Sequence, residues 1–185
     1  MKLTTLLPFL SIAAAASCGP QPPTYNTINS TTPSVPEQCC CLTYKAACTM
    51  NMERMFHVKL FYSRKQDITP AEFNQYWANK HTQLVTDFHL RVGVVKYSQY
   101  HSTPEFRDLA RVEGAPPILE FDGAAEFWMH DLATLQKMQS DPFYVEKIRP
   151  DEANFIDGES IKLIVGVDYI VVENQNAVLE HGRSF

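Results

Sequence analysis

Residues 56–173 carry strand and helix signals in the order strand, helix, strand, strand, helix, strand, which predicts an α+β fold. The first two elements carry most of that prediction. Phe56, Val58, Leu60 and Tyr62 alternate with His57, Lys59 and Phe61, so a strand here has one face more apolar than the other. Thr69, Pro70 and Glu72 then supply an N-cap, a first-turn proline and a capping-box acid. Phe73, Tyr76, Trp77, Lys80, His81 and Leu84 follow at helical spacing, and His81 lies on or beside the aromatic stripe.

The later elements follow the same logic. GVVKYSQYH at 93–101 is a β-branched and aromatic run suited to a second strand. Thr103, Pro104 and Glu105 open a short helix or irregular excursion that ends before Gly114. Residues 118–129 read as a third strand bent at Asp122-Gly123, where glycine permits a turn or bulge. Asp131 caps a second helix through Gln139, Asp141-Pro142 and Pro150-Asp151 restart helical turns, and Asp157-Gly158 closes them. Residues 160–173 form the last strand. The result is a ferredoxin-like βαββαβ antiparallel sheet with both helices on one face. The later strands are apolar on both sides, so the uncovered face predicts a homodimer.

Composition narrows the function classes. The length suits one ordinary domain, the net charge is −5, and no basic run suggests nucleic acid as a partner. Aromatic residues make up 11% of the chain and most lie after residue 55, where they either fill the core or line a pocket for a flat ligand. Cys18, Cys39, Cys40, Cys41 and Cys48 are all upstream, so the domain uses neither a thiol nucleophile nor a disulfide. Zinc-ligand spacing, a glycine-rich phosphate loop and a dinucleotide fingerprint are all missing from the sequence, and no metal or cofactor is expected.

The amino-terminal part is a different kind of sequence. Residues 1–17 read as a secretory signal peptide whose apolar run is too short for a membrane span. Residues 18–55 are a leader or linker rich in Cys, Pro, Ser and Thr, with a glycosylation sequon at Asn29. An incorrect gene model or a dispensable extension is an equal reading. The expected location is the secretory route if the signal is genuine and the cytoplasm otherwise. Residues 56–173 are read as the domain, needing nothing upstream, and 174–185 as a polar tail.

The run RKQDITPAEFNQYWANKH, ending at His81, resembles the opening signature of EthD-type proteins, and DGAAEFW at 122–128 resembles the family's third strand. The likeness extends over about 56–173, and within the family it is greatest to small fungal dehydratases and decarboxylases of aromatic polyketide pathways. It implies a dimeric α+β barrel and a cofactor-independent lyase acting on a small aromatic polyketide. Dehydration is the first expectation and decarboxylation the second. A cofactor-free oxygenase and a non-catalytic small-ligand binding protein are further alternatives.

The residues that could carry such chemistry are few. His81 titrates near neutrality and can give or take a proton, and the Lys-His match of the family strengthens that role. His101, in phase with Tyr97 and Gln99 on the second strand, is the second candidate, suited to holding a hydroxylated substrate. Asp122 is read as a carboxylate that orients a histidine, although Asp-Gly is also ordinary turn chemistry. Phe73, Trp77, Tyr97 and Trp128 are expected to form aromatic walls for the substrate. His57, His89 and His130 rank lower, with His89 assigned to the helix end, where its charge would favour the dipole.

Overall fold

The computed structural model describes residues 51–185, so the expected signal peptide, the sequon and all five cysteines lie outside the described residues. Strands β1 (Phe56–Tyr62), β2 (Lys96–His101), β3 (Gly123–Met129) and β4 (Lys162–Gly166) form one antiparallel sheet in the order β2-β3-β1-β4. That is the ferredoxin-like order. Val58 stands opposite Phe127 and Val165, and Leu60 opposite Ala125 and Leu163, so these side chains share one face. His57, Lys59, Phe61, Glu126, Trp128 and Ile164 take the other.

The apolar face is covered by two helical segments. Helix α1 (Pro70–Gln75) starts at the capping box read from the sequence, with Thr69 accepting the Glu72 N–H at 3.2 Å and Glu72 accepting the Thr69 N–H at 2.8 Å. It passes through a π turn at Tyr76–His81 into α2 (Thr82–Val92), which ends at Gly93 with a left-handed φ of 96°. Helix α3 (Pro104–Ala110) is the short excursion after β2. Helix α4 (Ala133–Ser140) leads to a second π turn at Tyr144–Ile148 and on to α5 (Arg149–Glu152). Phe73, Trp77, Val85, Phe88, Met138, Ile148 and Phe155 pack from these segments onto Val58, Tyr62, Phe127 and Met129, forming the core.

Three strands are shorter than their sequence pattern, β2 by the residues 93–95 and the other two by more. Residues 118–121 lie outside the sheet, which β3 joins at Asp122: its N–H donates to the Tyr62 carbonyl at 2.8 Å and its carbonyl accepts the Ser102 N–H at 2.9 Å, while its carboxylate accepts the Arg64 N–H at 2.9 Å and faces Arg107 Nη2 at 3.5 Å. β4 ends at Gly166 because Asp168 turns back across the sheet, contacting His57 Nδ1 at 2.8 Å and accepting Trp128 Nε1–H at 2.7 Å. The chain beyond it forms a small hairpin, β5 (Val172–Glu173) with β6 (Asn176–Ala177). Gly123 also differs in its reason. A Cβ there would lie 2.5 Å from Trp77 Cζ3 and 2.8 Å from the Tyr100 carbonyl, so glycine is required by close approach of the indole.

The packed domain extends upstream of Phe56. Met55 and Glu53 are fully buried, and Met52–Arg54 forms a 3₁₀ turn. The Glu53 carboxylate accepts the Ile170 N–H at 2.6 Å and the Gly182 N–H at 2.7 Å, and meets His181 Nδ1 at 2.9 Å. Arg183 Nε donates to the Glu53 carbonyl at 3.0 Å. The segment read as the end of a leader and the segment read as a polar tail are therefore joined. Burial alone would raise the Glu53 pKa, but the bonds from His181, Ile170 and Gly182 outweigh it and hold the carboxyl below its ordinary value.

Replacing Glu53 by Gln should destabilise the protein by about 1–3 kcal/mol, because one amide oxygen cannot satisfy the three half-buried donors that converge on the carboxylate. The stabilisation from a lowered carboxyl is present above its unfolded pKa and disappears as pH falls through the folded value. Urea unfolding of the two proteins at neutral and acidic pH should converge at low pH, and coincident curves at neutral pH would show the junction to be neutral in energy.

Candidate active site

Between the helical layer and the sheet is a small cavity of about 60 Å³, lined by Tyr62, Trp77, His81, His89, Tyr97, Tyr144 and Glu152 among apolar neighbours. Each π turn borders it. In the first, the i→i+5 step places Tyr76 and His81 over one carboxylate. Tyr76 Oη donates to Asp151 Oδ1 at 2.7 Å, and His81 Nδ1 meets Asp151 Oδ2 at 2.8 Å. A carboxylate accepts, so the His81 proton sits on Nδ1 and the Nε2 lone pair is left for the cavity. The Trp77 carbonyl in the same turn accepts from Thr82 Oγ1 at 3.0 Å and Gln99 Nε2 at 3.1 Å.

Burial in this apolar setting drives the ionisable groups toward their neutral forms. It lowers the His81 pKa, against the opposing pull of Asp151. It pushes His89 down to about 4, with the charge of His81 adding to the effect. Glu152 moves the other way. Burial raises it to about 7, against the Tyr144 hydroxyl, which donates to Glu152 Oε2 at 3.0 Å, and against Arg149; the charge of Asp151 adds to the rise. Near neutral pH the cavity therefore holds an imidazole pushed toward its unprotonated form and a carboxyl pushed toward its protonated one. Two groups with pKa values displaced in opposite senses divide into a base and an acid.

The structure places His81, Trp77 and Tyr97 on the cavity wall. It does not bring the other expected residues there. Asp122 serves Arg64 and Arg107 at the sheet end and touches no histidine; Asp151 is the carboxylate that orients His81. Trp128 lies on the opposite face of the sheet, stacked on His57 at 3.9 Å, because β3 turns even-numbered positions away from the helices. Phe73 is wholly buried in the core. His101 sits beyond Trp77, its ring centroid 4.8 Å from the indole, and lines a separate groove of about 700 Å³ beneath α3. Its Nδ1 faces Asn74 Oδ1 at 2.5 Å and its Nε2 faces Gln99 Oε1 at 3.1 Å, so its hydrogen-bonded link to the cavity runs through Gln99 to Tyr97.

Three site residues were missed from the sequence. His89 continues the four-residue spacing of Trp77, His81 and Val85, a signal that was present but assigned to the helix dipole. The structure instead buries it, with Nδ1 unpartnered among the described residues. Asp151 and Glu152 follow Pro150 and looked like turn and capping residues; only the second π turn shows which way they point.

A ferredoxin-like α+β domain with an acid–base cavity between helices and sheet is the class these features define. The EthD domain matches residues 65–159, more than half of the chain, and the protein belongs to the EthD family. The chain is 26% identical over 106 residues to the dehydratase aurZ of Gibberella zeae, spanning 56% of this chain and 70% of that one. It is 25% identical over 118 residues to the conidial pigment biosynthesis dehydratase EthD of Metarhizium robertsii, 62% of this chain and 83% of the relative. The decarboxylase claH of Passalora fulva is 21% identical over 106 residues, 56% of this chain and 69% of that one. A solved EthD family protein from Bacillus halodurans aligns with 62% of this chain and 99% of its own at 17% identity and a TM-score of 0.43.

The His81–Asp151 pair has a direct test. Asp151 supports the charged form of His81, so Asp151→Asn should move the His81 pKa further down from its already lowered position. Titrating the ring resonances by NMR measures this without substrate. An unchanged or raised value would show that the pair does not form in solution.

Proposed function

We propose that this protein is a cofactor-independent lyase acting on an aromatic polyketide intermediate, most simply as a dehydratase. The observation that carries the reading is one aromatic cavity holding a neutral His81 and a Glu152 carboxyl raised to about 7. In such a substrate a carbonyl acidifies the neighbouring carbon. His81 Nε2 takes that proton, Glu152 protonates the departing hydroxyl, and water leaves as the ring aromatises. The names of the Gibberella and Metarhizium relatives support loss of water.

The cavity is far smaller than the roughly 300–1,000 Å³ of ligand sites. A groove of about 740 Å³ adjoins it, and Tyr144, Glu152 and Ile156 line both, forming the partition. In this reading the polycyclic body lies in the groove and the partition shifts to admit the reacting ring. Lys65 and Arg149 also line the groove, so a carboxylate-bearing substrate has cations to meet. That favours decarboxylation as the second reading, in line with the name of the Passalora relative. Cells lacking the protein should accumulate a compound heavier than the final metabolite by one water under the first reading and by one carbon dioxide under the second.

With that accumulated compound as substrate, under anaerobic conditions, His81→Ala should lower turnover by about 10²–10⁴-fold while the fold survives. His81 must be neutral and Glu152 protonated, so the rate should fall as pH drops through the lowered His81 value and fall again as pH rises past about 7. Glu152→Gln should remove the alkaline limb. A rate unaffected by His81→Ala places the chemistry on other groups.

The reading includes a homodimer. Ile164 is 54% exposed on the edge strand and stands beside Lys59 on the uncovered face, where Tyr100 of β2 is 64% exposed. Pairing two such faces removes this apolar surface from water. Ile164→Glu should convert the dimer to monomer in sedimentation at micromolar concentration; a monomeric parent protein would count against the pairing.

A further inference from the structure

We infer that Tyr97 is the donor that stabilises the enolate oxygen formed when His81 removes a proton, an assignment that rests on the lyase reading above. The Tyr97 oxygen accepts the indole N–H of Trp77 at 3.2 Å and an amide N–H of Gln99 at 3.1 Å. A phenol oxygen that already accepts two hydrogen bonds has its lone pairs engaged, and its own hydrogen points elsewhere. Among the described residues no group accepts that hydrogen, and Tyr97 lines the cavity.

The orientation of the amide is determined by its neighbours. Gln99 Nε2 faces the Trp77 carbonyl at 3.1 Å, and a carbonyl can only accept, so the nitrogen and not the oxygen must lie on that side, its two hydrogens shared among that carbonyl, the Tyr97 oxygen and Thr82 Oγ1 at 3.2 Å. Gln99 Oε1 then faces His101 Nε2 at 3.1 Å. Gln99 is thus a positioning residue: its amide is held from one side by the π turn and from the other by His101. Trp77 is held in turn by the space above Gly123. The donor is built on strand and helix, with little freedom to reorganise.

The protonation state suits the role. Burial raises the Tyr97 pKa to about 12, against the two hydrogen bonds it accepts, so the phenol keeps its proton at neutral pH. When the substrate carbon loses its proton to His81 Nε2, the electron pair moves into the adjacent carbonyl and charge develops on that oxygen. The Tyr97 O–H then donates to an oxyanion in a water-poor site, where one such donor contributes about 10²–10³ in rate. The charge is discharged when the electrons move back to expel the hydroxyl protonated by Glu152.

Substituted phenols, which as phenolates imitate an enolate, test this without turnover. 4-Nitrophenol should bind the wild-type protein as its phenolate, with its pKa lowered relative to solution, seen in its absorption spectrum below pH 7 where Glu152 is protonated. Tyr97→Phe should weaken phenolate binding by about 10–100-fold and return the bound phenol toward its solution pKa. Gln99→Leu should weaken it less, and Tyr100→Phe, on the far face of the sheet, should not change it. His81→Ala should keep phenolate binding, so a failed lyase reading and a failed donor assignment give different patterns. If Tyr97→Phe does not fold, the wild-type spectrum and Gln99→Leu still decide the matter. No phenolate bound by the wild-type protein, or equal binding by Tyr97→Phe, would overturn the assignment.

Discussion

The seating of Trp77 over Gly123 is the contact on which the cavity depends. The indole has 1% of its surface exposed and approaches the β3 backbone so closely that a methyl group at position 123 would overlap it. From that position it meets Tyr62 edge-on at 5.7 Å, Phe73 at 5.5 Å and His101 at 4.8 Å. Its N–H aims at Tyr97, and its carbonyl, in the π turn, is bound by Thr82 and Gln99. A regular α-helix would rotate the residues after Trp77 by a different amount and part His81 from Asp151. Local helix geometry and the site are one constraint here.

Desolvation then sets the chemistry. The same apolar lining that lowers His81 and His89 raises Glu152 and Tyr97, since each neutral form is the one favoured away from water. Specific partners tune that trend. Asp151 pulls His81 back up, and the Tyr144 hydroxyl and Arg149 pull Glu152 back down, to about 7. Among the described residues no carboxylate pairs with His89, and burial takes it down to about 4. An imidazole with a partner and one without, eight positions apart on one helix face, have different uses for that reason alone.

The far face of the sheet has a separate polar system. His57 is stacked on Trp128, its Nδ1 contacts Asp168 at 2.8 Å, and its Nε2 lies 3.4 Å from Glu126, which also pairs with Lys59 at 3.2 Å. Asp168 reaches this cluster by leaving the edge of the sheet, and the chain that follows runs to the buried Glu53. The carboxyl-terminal segment is thereby held beyond the end of β4 by two carboxylates, its own Asp168 against His57 and Glu53 on the Ile170 N–H.

Much of the architecture was legible in the chain itself. Period-two alternation in Phe56–Tyr62, the Thr69 capping box and the aromatic stripe of the first helix are local patterns, written in neighbouring residues, and they determine element type and the covered face. His81 was legible for the same reason, because helical spacing placed it on that stripe. The partners of His81 were not, since Asp151 lies seventy positions away in a turn whose sequence looks like a cap. Asp122 and Trp128 were misplaced because strand phase and carboxylate pairing depend on distant partners: Asp122 pairs with Arg64 and Arg107, and Trp128 stands opposite His57 on the far face. The sequence by itself determined the ferredoxin-like order and the presence of a buried histidine. Only the tertiary structure decided which carboxylates face it and which charges survive burial, because pairings between distant segments and the water they exclude have no local signature.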